Sequence, residues 1–145
     1  MLVTDILKNK PALIHRIVET GSLSTAAGLM SCSRVGALVV ENALGQLAGL
    51  ISEREITSAV ARWGGEAHRH LVAEVMIREI PMARASERVM DLVAIMTRHR
   101  ARHVPVLDEN ETLVGILSIG DLLKSRLDEK IHENLILQDI ARLAN

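Results

Sequence analysis

Residues 96–124 read MTRHRARHVPVLDENETLVGILSIGDLLK. The apolar residues Val89, Leu92, Val93 and Met96 lead into this stretch at helical spacing. A short apolar strand follows, His103-Val104-Pro105-Val106, then a polar turn from Asp108 to Glu111 and a second strand from Leu113 to Leu117. Ser118 then opens another helix, with Asp121 in its first turn. The same order of elements occurs earlier in the chain. Residues 33–56 read SRVGALVVENALGQLAGLISEREI, and Ser22 to Ile56 aligns without gaps on Arg88 to Leu122 at an offset of 66. Met30 falls on Met96, Arg34 on Arg100, Val40 on Val106, Leu47 on Leu113, Gly49 on Gly115 and Ser52 on Ser118. Self-similarity at domain spacing marks a duplicated supersecondary unit.

The first copy therefore has a helix from Leu23 to Met30, strands at Ala37 to Val40 and Leu47 to Ile51, and a helix from Ser52. An additional strand is expected near Leu13 to Val18, with a counterpart near Glu79 to Ala83. Gly64-Gly65, after Trp63, is the expected seam, giving repeats 1–64 and 65–145. Beyond Leu123, the residues Leu127, Ile131, Leu135, Ile136 and Ile140 are read as one face of a C-terminal helix that packs.

Composition narrows the function. Of 145 residues, 48% are hydrophobic, with one Trp and no Phe or Tyr, so the core is aliphatic and stacking platforms for single-stranded nucleic acid are excluded. A net charge of −1 gives no basic footprint for DNA or RNA. The lone Cys32 rules out an internal disulfide and fits a cytoplasmic setting; it is read as a buried, inert thiol. No apolar run reaches membrane-spanning length, and the N-terminus lacks a signal-peptide pattern. No nucleophile elbow, GxGxxG or Walker loop occurs, and His68 and His70 have no nearby Cys or Glu to complete a metal set, so no enzyme is expected.

The duplicated units resemble the cystathionine-β-synthase (CBS) domain family. The likeness rests on residues 96–124 and 33–56, with an apolar strand, an acidic turn, and then Gly-apolar-apolar-Ser-x-x-acid. The resemblance implies a mixed α/β (α+β) fold of two tandem β-α-β-β-α repeats about a pseudo-twofold axis, plus the C-terminal helix. It implies a regulatory, non-catalytic module that binds an adenine nucleotide such as AMP, ADP or ATP in clefts between the repeats. It also implies a homodimer and a regulated protein partner, with no cofactor in the catalytic sense. The rival reading is a ligand-free module for dimerisation or partner docking.

The residues admit two readings each. Ser118 and Asp121 suit a ribose diol, because an ionised carboxylate only accepts hydrogen bonds, and Gly120 leaves room beside them. Ser-x-x-Asp is equally a helix cap with an acid in the first turn. As a ligand group, Asp121 would be unpaired in the empty site, and its removal would change stability little or even raise it. In the other copy, Ser52, Arg54 and Glu55 stand at the equivalent place. Glu55 replaces Asp there, and Ser-x-x-Glu is a capping box whose carboxylate folds back on Ser52. Arg54 faces either a phosphate or solvent. By the resemblance, Arg102 and His103 offer charge to phosphates, against the alternative of a solvated basic loop. Gly36 and Ala37 would form the base-binding wall opposite Asp121.

Overall fold

In the computed structural model, which describes residues 1–144, the chain divides into two compact units: residues 13–80, and residues 1–12 together with 81–144. In the 13–80 unit, strand β1 (Arg16–Val18) runs parallel to β2 (Ala37–Glu41), which pairs antiparallel with β3 (Leu47–Ser52). Helix α2 (Leu23–Ser33) connects the parallel strands, and helix α3 (Glu53–Trp63) follows β3. A 3₁₀ turn (Gly64–Arg69) and a short helix α4 (Val72–Val75) complete the unit. The second unit repeats this plan. Strand β4 (Ala83–Arg84) is parallel to β5 (His103–Leu107), and β5 is antiparallel to β6 (Leu113–Ser118). Helix α5 (Val89–His99) joins β4 to β5, helix α6 (Ile119–Leu143) follows β6, and a short helix α1 (Val3–Leu7) packs on the same core.

The duplication extends to irregular backbone. Both antiparallel pairs shift register at the same place, between Val40 and Glu41 and between Val106 and Leu107. Arg34 and Arg100, matched at the offset of 66, both end their helices in the left-handed conformation, with φ of 54° and 51°. One strand differs for a local reason. Val39 donates its N–H to the carbonyl of His15 at 3.0 Å. Its counterpart, Pro105, has no N–H to give, and β4 is correspondingly shorter than β1.

Each unit has its own aliphatic core. Ile17, Leu23, Ala26, Met30, Leu38, Val40 and Ile51 pack with Ala59, Ala67, Val72 and Met76 in one. Val3, Ile6, Ala83, Leu92, Met96, Val104, Val106 and Leu117 form the other. The central strands are buried along nearly their whole length, which accounts for their unbroken apolar runs.

Three expectations change. The compact unit does not stop at Gly64-Gly65. Gly64 ends α3 with φ of +58°, yet Ala67, Val72 and Met76 beyond it are needed to close the first core. Conversely, residues 1–12 join the unit that holds the second copy. The two short helices are equivalents: Val3 N–H reaches Glu87 O at 2.8 Å, and Val72 N–H reaches Gly21 O at 2.8 Å. The sequences agree as well, Leu2-Val3-Thr4-Asp5 against Leu71-Val72-Ala73-Glu74.

Cys32 is exposed, not buried. Helix α2 buries Leu23, Ala26 and Met30, and at about 100° per residue Cys32 lies about 180° round from Leu23.

The C-terminal stretch is a continuation of the helix that begins after Ser118, and its apolar residues form no buried layer: among its described residues none is buried. Leu127, Ile131, Leu135, Ile136 and Ile140 do not share one face either. At about 100° per residue they spread over about 220° of the helix circumference, because each i,i+4 step drifts by about 40° and the step from Leu135 to Ile136 adds about 100°.

Close packing at the repeated glycines gives a stability test. A Cβ on Gly49 would come within 2.4 Å of the carbonyl oxygen of Ile77, whereas on Gly115 it would meet the movable Leu7 Cδ2 at 2.6 Å. Gly49→Ala is expected to cost about 1–3 kcal/mol by overpacking against backbone. Gly115→Ala is expected to cost less, and paired denaturant titrations would read the difference.

Candidate functional site

The residues singled out from sequence gather in two sets, one per unit. Register places His103 opposite Ser118, and the Arg102 carbonyl accepts the Ile119 N–H at 3.0 Å. Arg102, His103, Ser118, Gly120 and Asp121 therefore share the end of β6 and the start of α6. Ala37 lies opposite Ser52, and the Gly36 carbonyl accepts the Glu53 N–H at 3.0 Å. Gly36, Ala37, Ser52, Arg54 and Glu55 thus make the corresponding place in the other unit.

Glu55 behaves as its motif requires. Its Oε2 accepts the Ser52 N–H at 2.7 Å and also the Ser52 hydroxyl, while Ser52 Oγ accepts the Arg54 N–H at 3.2 Å. The carboxylate is turned onto its own helix start, and Arg54 is exposed. Ser118 and Asp121 form the same box: Asp121 Oδ2 accepts the Ser118 N–H at 2.8 Å, and Ser118 Oγ accepts the Asp121 N–H at 3.1 Å. The cap reading of Ser-x-x-Asp is therefore correct.

The difference between the two places is a cation. Lys10 Nζ donates to Asp121 Oδ2 at 2.7 Å and to the Ile116 carbonyl at 2.8 Å. The expectation of an unpaired carboxylate at Asp121 is overturned by this contact. Burial pushes the Asp121 carboxyl up, but the Lys10 ammonium and the Ser118 N–H outweigh it and hold it below the usual carboxylate range. In the other unit, Leu50 stands where Ile116 does, and the Ile77 N–H satisfies its carbonyl at 2.8 Å. A backbone donor there is replaced by a charged side chain here.

Space remains beside Asp121. A Cβ built on Gly120 would meet only Ser118 Oγ within 4 Å, and at 3.5 Å. The Arg102 side chain is exposed and His103 half-buried. His70 does find an acidic neighbour, Glu74 at 3.0 Å, and its ring stacks on Trp63 at 3.6 Å. Still, no group of three metal-ligating side chains occurs among the described residues. No helix among them is long and apolar enough to cross a membrane.

Lys10 was invisible to motif reading, being 111 residues from Asp121. One signal could have found it. Aligning Leu2-Val3 with Leu71-Val72 sets residues 1–12 against the start of the second copy, where Lys10 has Glu79 as its counterpart.

Comparison with known proteins agrees with this architecture. The CBS domain family model matches residues 72–128. The CBS domain-containing protein YhcV of Bacillus subtilis is 32% identical over 110 residues, covering 75% of this chain and 76% of that protein. A CBS domain protein from Pyrobaculum aerophilum complexed with AMP superposes with a TM-score of 0.74 at 25% identity, over 83% of this chain and 89% of that one. The CBS domain pair of the protein MJ0100, in complex with 5′-methylthioadenosine and S-adenosyl-L-methionine, gives 0.74 at 26% identity, over 88% and 98%. With two units of one plan, each ending its antiparallel strand pair in Ser-x-x-acid, this chain belongs to the CBS domain family.

Proposed function

We propose that this chain is a non-catalytic regulatory sensor of an adenine nucleotide, bound at Asp121. The observation that carries the reading is the Asp121 carboxylate itself. It stands ionised in the first turn of the helix that follows β6, beside a glycine with open space, in a fold whose relatives hold AMP or methylthioadenosine. An ionised carboxylate can accept both hydroxyls of a ribose diol. Arg102, just before β5, supplies positive charge nearby, with the His103 ring beside it, whereas at the Glu55 place the residue matching Lys10 is the acidic Glu79. A thermal-shift screen with AMP, ADP, ATP, 5′-methylthioadenosine and S-adenosylmethionine tests the reading. A ligand at 100 times its dissociation constant adds about 2.7 kcal/mol of stability. Absence of a shift with all five would refute it.

A second reading, assembly, is favoured by α6. Ile119, Leu123, Leu127, Ile131, Leu135, Ile136, Leu137, Ile140 and Leu143 are all substantially exposed along this one helix. We infer that a second copy of the chain covers the ridge at its centre. Leu127 and Leu135 flank Ile131 at equal spacing. A twofold axis through Ile131 therefore sets Ile131 on the partner's Ile131, and Leu127 on the partner's Leu135, with the i,i+4 ridges interdigitating. Beyond Asp121, α6 carries Lys124, Arg126, Lys130 and Arg142 against Asp128, Glu129, Glu133 and Asp139. The net charge of this stretch beyond Asp121 is zero, so a second copy meets no repulsion. A polyanion or an acidic membrane surface would find no excess of positive charge to bind. Dimerisation and nucleotide sensing are compatible, and the regulated partner would read the pair.

A further inference from the structure

The Asp121 site contains a built-in cation that its counterpart lacks, and this bears on which ligand it takes. We propose that Lys10 selects ligands by charge, favouring an adenosine ligand that bears a phosphate over one whose 5′ substituent is neutral or cationic. The inference rests on the nucleotide reading of Asp121 and adds the ligand class.

The geometry is specific to this unit. Lys10 follows α1, its own N–H tied to the Leu7 carbonyl at 3.1 Å, so the side chain starts from an ordered backbone. Its ammonium spends two hydrogen bonds, one on Asp121 Oδ2 and one on the Ile116 carbonyl. An ammonium has three donors, and the side chain is one-third exposed at 33%. Lys10 is therefore anchored at the site and still reachable.

Charge decides the rest. Alone, Asp121 and Lys10 compensate each other. Lys10 and the Ser118 N–H both bond Asp121 Oδ2, so a ribose diol can take Oδ1 without displacing the ammonium, and it brings no charge of its own. The third ammonium donor then serves a phosphate on the same ligand. Lysine suits this contact, because it is a compact charge on a flexible stem with rotatable donors. A sulfonium ligand brings a second cation beside the ammonium, and a neutral nucleoside brings no anion for it. No such selection arises at Glu55. There the carboxylate is held by Ser52, the Leu50 carbonyl is satisfied by the Ile77 N–H, and the residue matching Lys10 is Glu79.

The test compares AMP, adenosine and S-adenosylmethionine by calorimetry on the full chain, as wild type, Lys10→Met and Lys10→Arg. In the wild type, AMP binds more tightly than adenosine or S-adenosylmethionine. In Lys10→Met the AMP-to-adenosine affinity ratio falls at least about tenfold, and the AMP-to-S-adenosylmethionine ratio falls further, a decade being about 1.4 kcal/mol. Lys10→Arg retains the charge and keeps most of the preference. Ratios make the result independent of any general loss of binding from loosening residues 1–12. If both affinities fall together in Lys10→Met, or neither moves, Lys10 only anchors the segment and the proposal is overturned. If the wild type binds none of the three ligands, the nucleotide reading itself fails and this inference falls with it.

Discussion

Asp121→Ala is expected to lower nucleotide affinity at least tenfold. The substitution removes one or two hydrogen bonds from a ribose diol to a charged acceptor, each worth roughly 1.5–3 kcal/mol, and a single one exceeds the 1.4 kcal/mol of a decade. The same change is also expected to destabilise the empty protein, because the carboxylate accepts the Ser118 N–H and the Lys10 ammonium there. Loss of a capping group of this kind costs about 1 kcal/mol. This second effect has a pH signature. The Asp121 carboxyl is held below its ordinary value in the folded chain, so its stabilisation is fully present above the unfolded carboxylate pKa of about 4 and is lost as pH falls further. The stability gap between wild type and Asp121→Ala should therefore be constant near neutrality and close in acid below about pH 4. Glu55→Ala is the control. It removes a comparable cap and should cost similar stability, but it should change nucleotide affinity little. If Glu55→Ala abolishes binding while Asp121→Ala leaves it within about twofold, less than 0.5 kcal/mol, the working site is the other one.

The second large effect concerns assembly. Wild-type chain is expected to scatter light as a dimer, at twice the 15.9 kDa chain mass. The double substitution Leu127→Glu with Ile131→Glu should return it to the monomer. A twofold axis brings the carboxylate introduced at 131 close to its copy, where like charges in a desolvated contact cost several kcal/mol, and sets the one introduced at 127 against the apolar Leu135 of the partner copy. Both positions are exposed within the chain, at 55% and 58%. The cores of the two units should therefore remain folded, and exposed substitutions usually shift stability by no more than about 0.5 kcal/mol. The outer turns of α6 should lose helicity in the monomer, since most helix stability comes from packing an apolar face. A wild-type mass of one chain at micromolar concentration, or a double variant that stays dimeric, would contradict the α6 interface.

The parts of this structure that could be read in the sequence are those whose cause is local. Ser52 and Glu55 cap their helix because the residues three apart are sufficient for it. The offset of 66 located both sheets, since Val104 and Val106, like Leu38 and Val40, sit on central strands buried on both faces. What stayed hidden depends on distant segments. The unit boundary moved because Ala67, Val72 and Met76 complete a core that no local signal near Gly64 announces. Nothing local to Asp121 announces its cation, because Lys10 lies near the opposite end of the chain. Cys32 and the α6 ridge depart from expectation for a different reason, angular position round a helix. A run of small residues in α2 disguises which face Cys32 occupies, and an i,i+4 series resembles a stripe while it winds away from one.

Titration calorimetry of the wild-type chain with AMP tests the central claim most directly. Nucleotide sensing at Asp121 predicts a saturable heat and a melting temperature that rises with AMP concentration, both lost or displaced to at least tenfold higher AMP in Asp121→Ala. A flat titration with AMP to millimolar concentration, a limit of about −4.1 kcal/mol, with an unmoved melting temperature, would contradict it.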